Sequence, residues 1–164
     1  MSGETELISS ICDLIEYGSG SRKEIIALLW EMPQRSRQKW RARCPLISAV
    51  KVGYMSLVKE IINELNFDIN STTLEWYDGN WCALGAAIHS QNFCLARYLL
   101  SSKGLNLNNI KTKILEDAIC LNKDKSVKFL LKEVGANANA TMFDENFAKP
   151  FLPIHLAISR DVSK

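Results

Sequence analysis

LGAAIHSQNFCLARYLLSSKGLNLN, residues 84–108, decides the fold. It is apolar and small from Ala83 to Ile88, apolar again from Leu95 to Leu100, and closes on Gly104-Leu105-Asn106-Leu107-Asn108. The same grammar occurs three times. Leu46, Leu84 and Leu115 are each followed fifteen positions later by an apolar pair, Ile61-Ile62, Leu99-Leu100 and Leu130-Leu131. Each pair runs into an asparagine-bearing exit: NFDIN from Asn66, GLNLN from Gly104, GANAN from Gly135. An alanine stands three residues after each leading leucine, at Ala49, Ala87 and Ala118. Three copies with fixed internal spacing make the chain a repeat array, which governs how every single residue is read.

Working outward, Leu7, Ile8, Ile11, Leu14 and Ile15 form one stripe of an amphipathic helix between Glu4 and Tyr17. GSGS at 18–21 interrupts it, and Ser21 suits the cap of a second helix from Arg22 to Met32, closed by Pro33. Leu28-Leu29 stand thirty-three residues before Ile61-Ile62, so 1–34 reads as a degraded end repeat. Pro45 opens a short helix, Gly53 breaks it, and a second runs from about Met55 to Glu64. Later pairs are expected near 83–90 and 93–102, then 114–121 and 124–133. Gly104 and Gly135 suit left-handed helix ends, and Asn70, Asn108 and Asn139 can bond the turns that follow.

These residues resemble the ankyrin repeat, a turn and two antiparallel helices opening on Thr-Pro-Leu-His-x-Ala. Leu152-Pro153-Ile154-His155-Leu156-Ala157 keeps the Pro, His and Ala of that opening. Cys44-Pro45-Leu46-Ile47-Ser48-Ala49 keeps Pro, Leu and Ala, and Cys82-Ala83-Leu84-Gly85-Ala86-Ala87 keeps Leu and Ala. LLKEVGANAN is similar to the family's helix end, with one extra residue before Gly135. The likeness covers about residues 22–164. It implies an all-α ankyrin-repeat solenoid of about four to five helix-turn-helix units. The periods depart from the family's thirty-three: thirty-eight, thirty-one and thirty-nine residues separate Leu46, Leu84, Leu115 and Ile154. The extra length is expected in long fingers between repeats. One domain is expected over 1–164, divided as 1–34, a basic finger 35–43, then 44–72, 73–109, 110–140 and an incomplete unit 141–164. Leu156 or Ile158 would lack cover there, which suggests a piece of a longer repeat protein.

Composition limits the chemistry. The chain is 47% hydrophobic with a formal net charge of +2, enough to bury a core and too near neutral to select a partner. Five cysteines without a CxxC pair, and no signal peptide, point to free thiols in a reducing compartment, cytoplasmic with a nuclear location open. No apolar run approaches the ~18–20 residues that span a bilayer, so no membrane partner is expected. Two histidines and scattered cysteines lack zinc-site spacing. A Cys94–His89 pair has no recognisable orienting acid, and GSGS lacks the lysine of a phosphate loop. Cys44 and Cys82 read as small packed side chains and His155 as the motif's structural histidine. No cofactor and no catalytic residue is expected.

Two stretches stand out as binding candidates. Trp76, Tyr77 and Trp81 flank an Asp78-Gly79-Asn80 turn tip, and such rings anchor interfaces because they bury much area with few torsions to freeze. Their plain structural alternative is folding back to seal the stack. The second is the run Arg35, Arg37, Lys39, Arg41, Arg43, with bases at alternate positions and Trp40 between them. Residues 1–34 hold six acids and two bases, whereas 35–43 hold five bases and no acid. Extended, the run would present one charged edge to an acidic peptide segment, or to nucleic-acid phosphates in a less favoured reading. A solvated loop is its structural alternative. By register the family's concave face takes Ser48, Lys51 and Val52, then Ala86, His89 and Ser90, then Asp117, Cys120 and Leu121; Lys51, His89 and Asp117 are the contact candidates. Phe143, Phe147 and Phe151 read as local packing. The expected function is a non-catalytic module that binds a protein or peptide partner. The basic linker and long second turn are loosely similar to Fem-type ubiquitin-ligase substrate receptors, which implies substrate recognition as an alternative.

Overall fold

A computed structural model describes residues 2–33, 43–73, 81–107, 110–141 and 152–161. The chain divides into two compact units, Met1–Leu105 and Asn106–Lys164. Six helices build the first: α1 Ser2–Glu16, α2 Arg22–Glu31, α3 Pro45–Lys51, α4 Met55–Asn63, α5 Ala83–His89 and α6 Phe93–Ser101. Helices of seven to nine residues are too short to stand alone in water, so packing must hold them. α3 lies between α1 and α5, while α4 backs α3 and α6 backs α5. Leu57 and Ile61 of α4, and Leu95 and Leu99 of α6, are fully buried, each worth about 1.5–3 kcal/mol.

The expected helix pairs are all found, and their ends have local causes. Ser21 Oγ accepts the Glu24 N–H at 3.2 Å, and Asn92 Oδ1 accepts that of Leu95 at 3.1 Å. Cys82 Sγ accepts the Gly85 N–H at 3.3 Å, so the thiol does a capping job at the threonine position. Pro45 occupies the start of α3, where its missing N–H has no intrahelical partner to lose. In the first pair the register shifts by one residue from expectation. Leu29 and Ile61 are the buried equivalents, while Leu28 and Ile62 are only half-buried, so the spacing there is thirty-two.

Repetition is clearest in the backbone. The seventh residue after each leading leucine is left-handed: Gly53 at φ 76°, Gln91 at 55°, Asn122 at 52°. The next N–H then reaches back to the motif alanine: Tyr54 to Ala49 O, Asn92 to Ala87 O and Lys123 to Ala118 O, each at 2.9 Å. The twentieth residue is left-handed too: Asn66 at 52°, Gly104 at 85° and Gly135 at 68°. The extra residue at the helix end is absorbed as a wider turn. Leu130–Val134 is π-helical, and the Leu65 N–H reaches Glu60 O, five residues back, at 3.2 Å.

The exit turns differ from expectation in which side chain closes them. Asp68 Oδ1 accepts the Asn70 N–H and Asn137 Oδ1 accepts the Asn139 N–H, both at 2.9 Å. Asn70 instead donates its side-chain amide to Gly104 O at 2.9 Å, linking one exit to the next. Asn108 lies outside the described residues. The long second finger starts as an antiparallel pair, β1 Thr72–Thr73 against β2 Trp81–Cys82, with Thr72 opposite Cys82.

The second unit holds α7 Ile110–Cys120, α8 Asp124–Phe129 running into the π turn, and α9 Pro153–Asp161. α7 packs against both α8 and α9. It begins four residues before the expected start because Ile110–Lys113 adds a mostly polar turn. That turn places Lys113 Nζ 3.6 Å from Glu116 and 3.8 Å from Asp117. His155 Nδ1 accepts the Leu152 N–H at 3.3 Å, the structural role expected of it. Leu156 is buried and Ile158 is exposed.

Candidate functional site

The hairpin tips of the first unit gather exposed side chains beside a closed core. Within α3 and α5 the residues Leu46, Ala49, Val50, Leu84, Ala87 and Ile88 are buried. At the helix ends burial stops: Lys51 is half-buried, Val52 is 45% exposed and Tyr54 36%. On the neighbouring hairpin His89 is half-buried and Ser90 exposed. The two tips touch, since a Cβ added to Gly53 would lie 3.1 Å from Asn92 Nδ2. The result is a mixed patch with one cation, one imidazole and two apolar side chains. Tyr54 was not picked out from the sequence because it follows the Gly53 break, where the apolar pattern carries no register.

The inward members of the concave positions have other work. Ser48 is buried and donates from Oγ to Glu16 Oε1 at 2.6 Å, and Ala86 is buried. In the second unit Asp117 is half-buried beside Lys113, Cys120 is half-buried and Leu121 is exposed.

Arg43, the last base of the run, is engaged inside the first unit. Its Nη1 donates to Asp13 Oδ1 at 2.5 Å and to Ser9 O at 3.3 Å, and its Nη2 donates to Glu16 Oε2 at 2.9 Å. Glu16 thereby joins Arg43 to Ser48, tying α1 to the entry of α3. Burial opposes the guanidinium charge, but the Asp13 hydrogen bond and the neighbouring carboxylates outweigh it and raise its pKa. This side chain is therefore a packing element between α1 and α3, with little left to offer a ligand. Arg35, Arg37, Lys39, Trp40, Arg41, Trp76 and Tyr77 lie outside the described residues, as do Phe143, Phe147 and Phe151. Trp81 pairs through its backbone in β2, and its ring lies outside the described part.

The thiols do not assemble a reactive centre among the described residues. Cys12, Cys44 and Cys82 are buried, Cys120 is half-buried and Cys94 is exposed on α6. Burial pushes the Cys44 thiol up to about 12, the opposite of an activated nucleophile. No group of three His, Cys, Asp or Glu residues is placed to hold a metal ion among the described residues. No described helix is long and apolar enough to cross a membrane.

Comparison with known proteins agrees with the backbone register. No curated protein matches the chain. A sequence model of ankyrin repeats in three copies matches residues 46–142, more than half of its length. That span begins at Leu46, the leading leucine of the first full copy, and takes in all three pairs of left-handed positions. With its helix pairs, its twice-repeated left-handed register and that match, the chain belongs to the ankyrin-repeat family.

Proposed function

We propose that the protein is a non-catalytic module that binds a peptide or protein partner through its hairpin tips and the finger carried by β1 and β2. The observation that carries this reading is the patch of Lys51, Val52, Tyr54, His89 and Ser90. It is open where every neighbouring position toward the helix starts is buried. Exposed apolar side chains beside a cation suit a partner that offers both a hydrophobic residue and a carboxylate. Trp76, Tyr77 and Trp81 act as anchors in this reading, and Arg37, Lys39 and Arg41 steer an acidic segment toward the site. Within the second unit, Asp117 and the exposed Leu121 are separate contact candidates in this reading.

The test is affinity capture with the wild type, Tyr54→Ser, and Trp76→Ala combined with Trp81→Ala, read by mass spectrometry and checked by circular dichroism. Partners should be lost from the variants while helicity is kept. Helicity lost along with binding would make the rings structural. Charge reversal at Arg37 and Arg41 should slow association at low salt and have little effect at high salt. An effect indifferent to salt would contradict steering.

A further inference from the structure

The α1–α2 hairpin continues the row of tips that α3 and α5 begin. With Ile11 as its leading residue, the seventh residue on is Gly18, left-handed at φ 64° as Gly53 is at 76° and Gln91 at 55°. The residue before it ends the helix in the same way each time. The Tyr17 N–H bonds Asp13 O at 2.9 Å, Val52 bonds Ser48 O at 3.2 Å, and Ser90 bonds Ala86 O at 3.0 Å. Ile11, Leu46 and Leu84 are all fully buried. Tyr17 therefore matches Val52 and Ser90, and Glu16 matches Lys51 and His89. Side-chain contacts run the same way along α1 and α3: Arg43, just before α3, meets Ser9, and Ser48, inside it, meets Glu16.

Tyr17 is 80% exposed, more than any other large hydrophobic side chain among the described residues. That openness belongs to the tip position. Val52 has α1 packed on one side of its helix and α5 on the other, and it is open too. The row thus offers two unlike seams. Between α1 and α3 the seam is apolar, Tyr17 with Val52; between α3 and α5 it is polar, Lys51 with His89. The carboxylates of the first seam are already matched. Both Glu16 oxygens accept, one from Ser48 and one from Arg43, and Asp13 accepts from Arg43. The second seam brings the Lys51 ammonium, a cation with three donors to place.

We propose that this row binds a linear peptide segment in the polyproline II conformation, with a large apolar residue and a carboxylate three residues apart. The inference rests on the tips being the partner site and adds Tyr17 to it. The apolar residue seats between Tyr17 and Val52, and the carboxylate meets Lys51 beside His89. Seam to seam is one helix step, about 8–10 Å. Three residues of polyproline II advance about 9 Å and return to the same side, whereas a β-strand returns about every 6.6 Å. An α-helix also returns over about 10.5 Å, but at about 10–12 Å across it needs a bed of more than one row. The next row down is closed, since Ser48 and Ala86 are buried and Asp13 is held by Arg43.

The probes are end-blocked peptides built on Leu-Pro-Pro-Asp and on the reverse order, Asp-Pro-Pro-Leu, titrated into the isotope-labelled full chain and followed by amide chemical shifts. At least one should give saturable shifts at Tyr17, Val52 and Ser90. Tyr17→Ser, at an exposed position where circular dichroism should be unchanged, should weaken binding about fivefold or more. Lys51→Glu should weaken it about tenfold, and a peptide with lysine in place of aspartate should bind that variant again. Removing one of the two central prolines puts the contacts out of step and should also weaken binding. The proposal is overturned if neither peptide gives saturable shifts, if the shifts fall elsewhere, or if Tyr17→Ser leaves affinity unchanged. Preference for a stapled helix with leucine and aspartate seven apart would overturn it as well. Partner capture that still depends on Tyr54 while these peptides fail would sink this inference alone; capture indifferent to Tyr54 would sink the proposed function beneath it.

Discussion

Replacing Gly135 by alanine isolates the contribution of the left-handed helix end. Gly135 sits at φ 68° and ψ 39°, and a Cβ there would meet only the tip of Lys111 at 3.9 Å, an ordinary contact. Steric conflict with neighbours is therefore excluded, and the backbone alone is tested. Holding an L-residue in this region costs about 1–2 kcal/mol, whereas asparagine visits it routinely. Alanine also stiffens the unfolded chain, which returns about 0.4–1 kcal/mol. The expected net loss is about 1 kcal/mol for Gly135→Ala. At a urea slope of about 2 kcal/mol/M the midpoint falls by about 0.5 M. Gly135→Asn should shift the midpoint by less than half as much, since Asn66 holds the equivalent position at φ 52°. Urea titrations followed by far-ultraviolet circular dichroism measure both. Amide exchange at Ala136, whose N–H bonds Leu130 O at 2.9 Å, should quicken in the alanine variant. Equal stability of Gly135→Ala and wild type, or an asparagine variant as weak as alanine, would refute the reasoning.

Arg43→Ala leaves Asp13 and Glu16 without their shared cation and should destabilise the first unit by about 1–2 kcal/mol. The lower end is favoured because Asp13 is half-exposed, and hydrogen exchange should rise first in α1. Leu57→Ala removes a fully buried side chain between α3 and α4 and should cost about 2–5 kcal/mol in urea unfolding. Alkylation at pH 8 should label exposed Cys94 first and spare Cys44 until the chain unfolds, as mass spectrometry of the peptides will report. Because the Cys44 thiol is raised from 9.0 to about 12 in the folded state, its contribution is full below pH 9. It is lost as pH climbs toward 12, where the unfolded thiol ionises first; Cys44→Ala should flatten that alkaline decline.

The helix pairs were legible because stacking demands apolar residues at fixed separations, and Leu46, Leu84 and Leu115 keep theirs to the residue. The exits were legible at Gly104 and Gly135, where a left-handed turn selects glycine, but not at Asn66, which takes the same conformation without a glycine to mark it. Three further features were not. Arg43 reads as one more base in an alternating run, because its partners Asp13 and Glu16 stand about thirty residues away and leave no local trace. The closing side chains of the exit turns are Asp68 and Asn137, whereas the exit motif draws attention to Asn70 and Asn139, since several residues in it could serve as acceptor. The one-residue shift between Leu28-Leu29 and Ile61-Ile62 is invisible when two adjacent apolar residues compete for one buried position. Among the binding candidates, register names Lys51 and His89 as concave-face positions, whereas the contact between their hairpin tips, and Tyr54 beside it, need the three-dimensional turn to be noticed.

The hairpin turn is closed by the same main-chain bond in each of the three copies, Tyr54 to Ala49, Asn92 to Ala87 and Lys123 to Ala118. The residues just before it vary from copy to copy while that bond stays: Lys51 and Val52 in one, His89 and Ser90 in the next, Cys120 and Leu121 in the third. A turn held through the main chain thus admits different side chains at these positions while its backbone path stays the same.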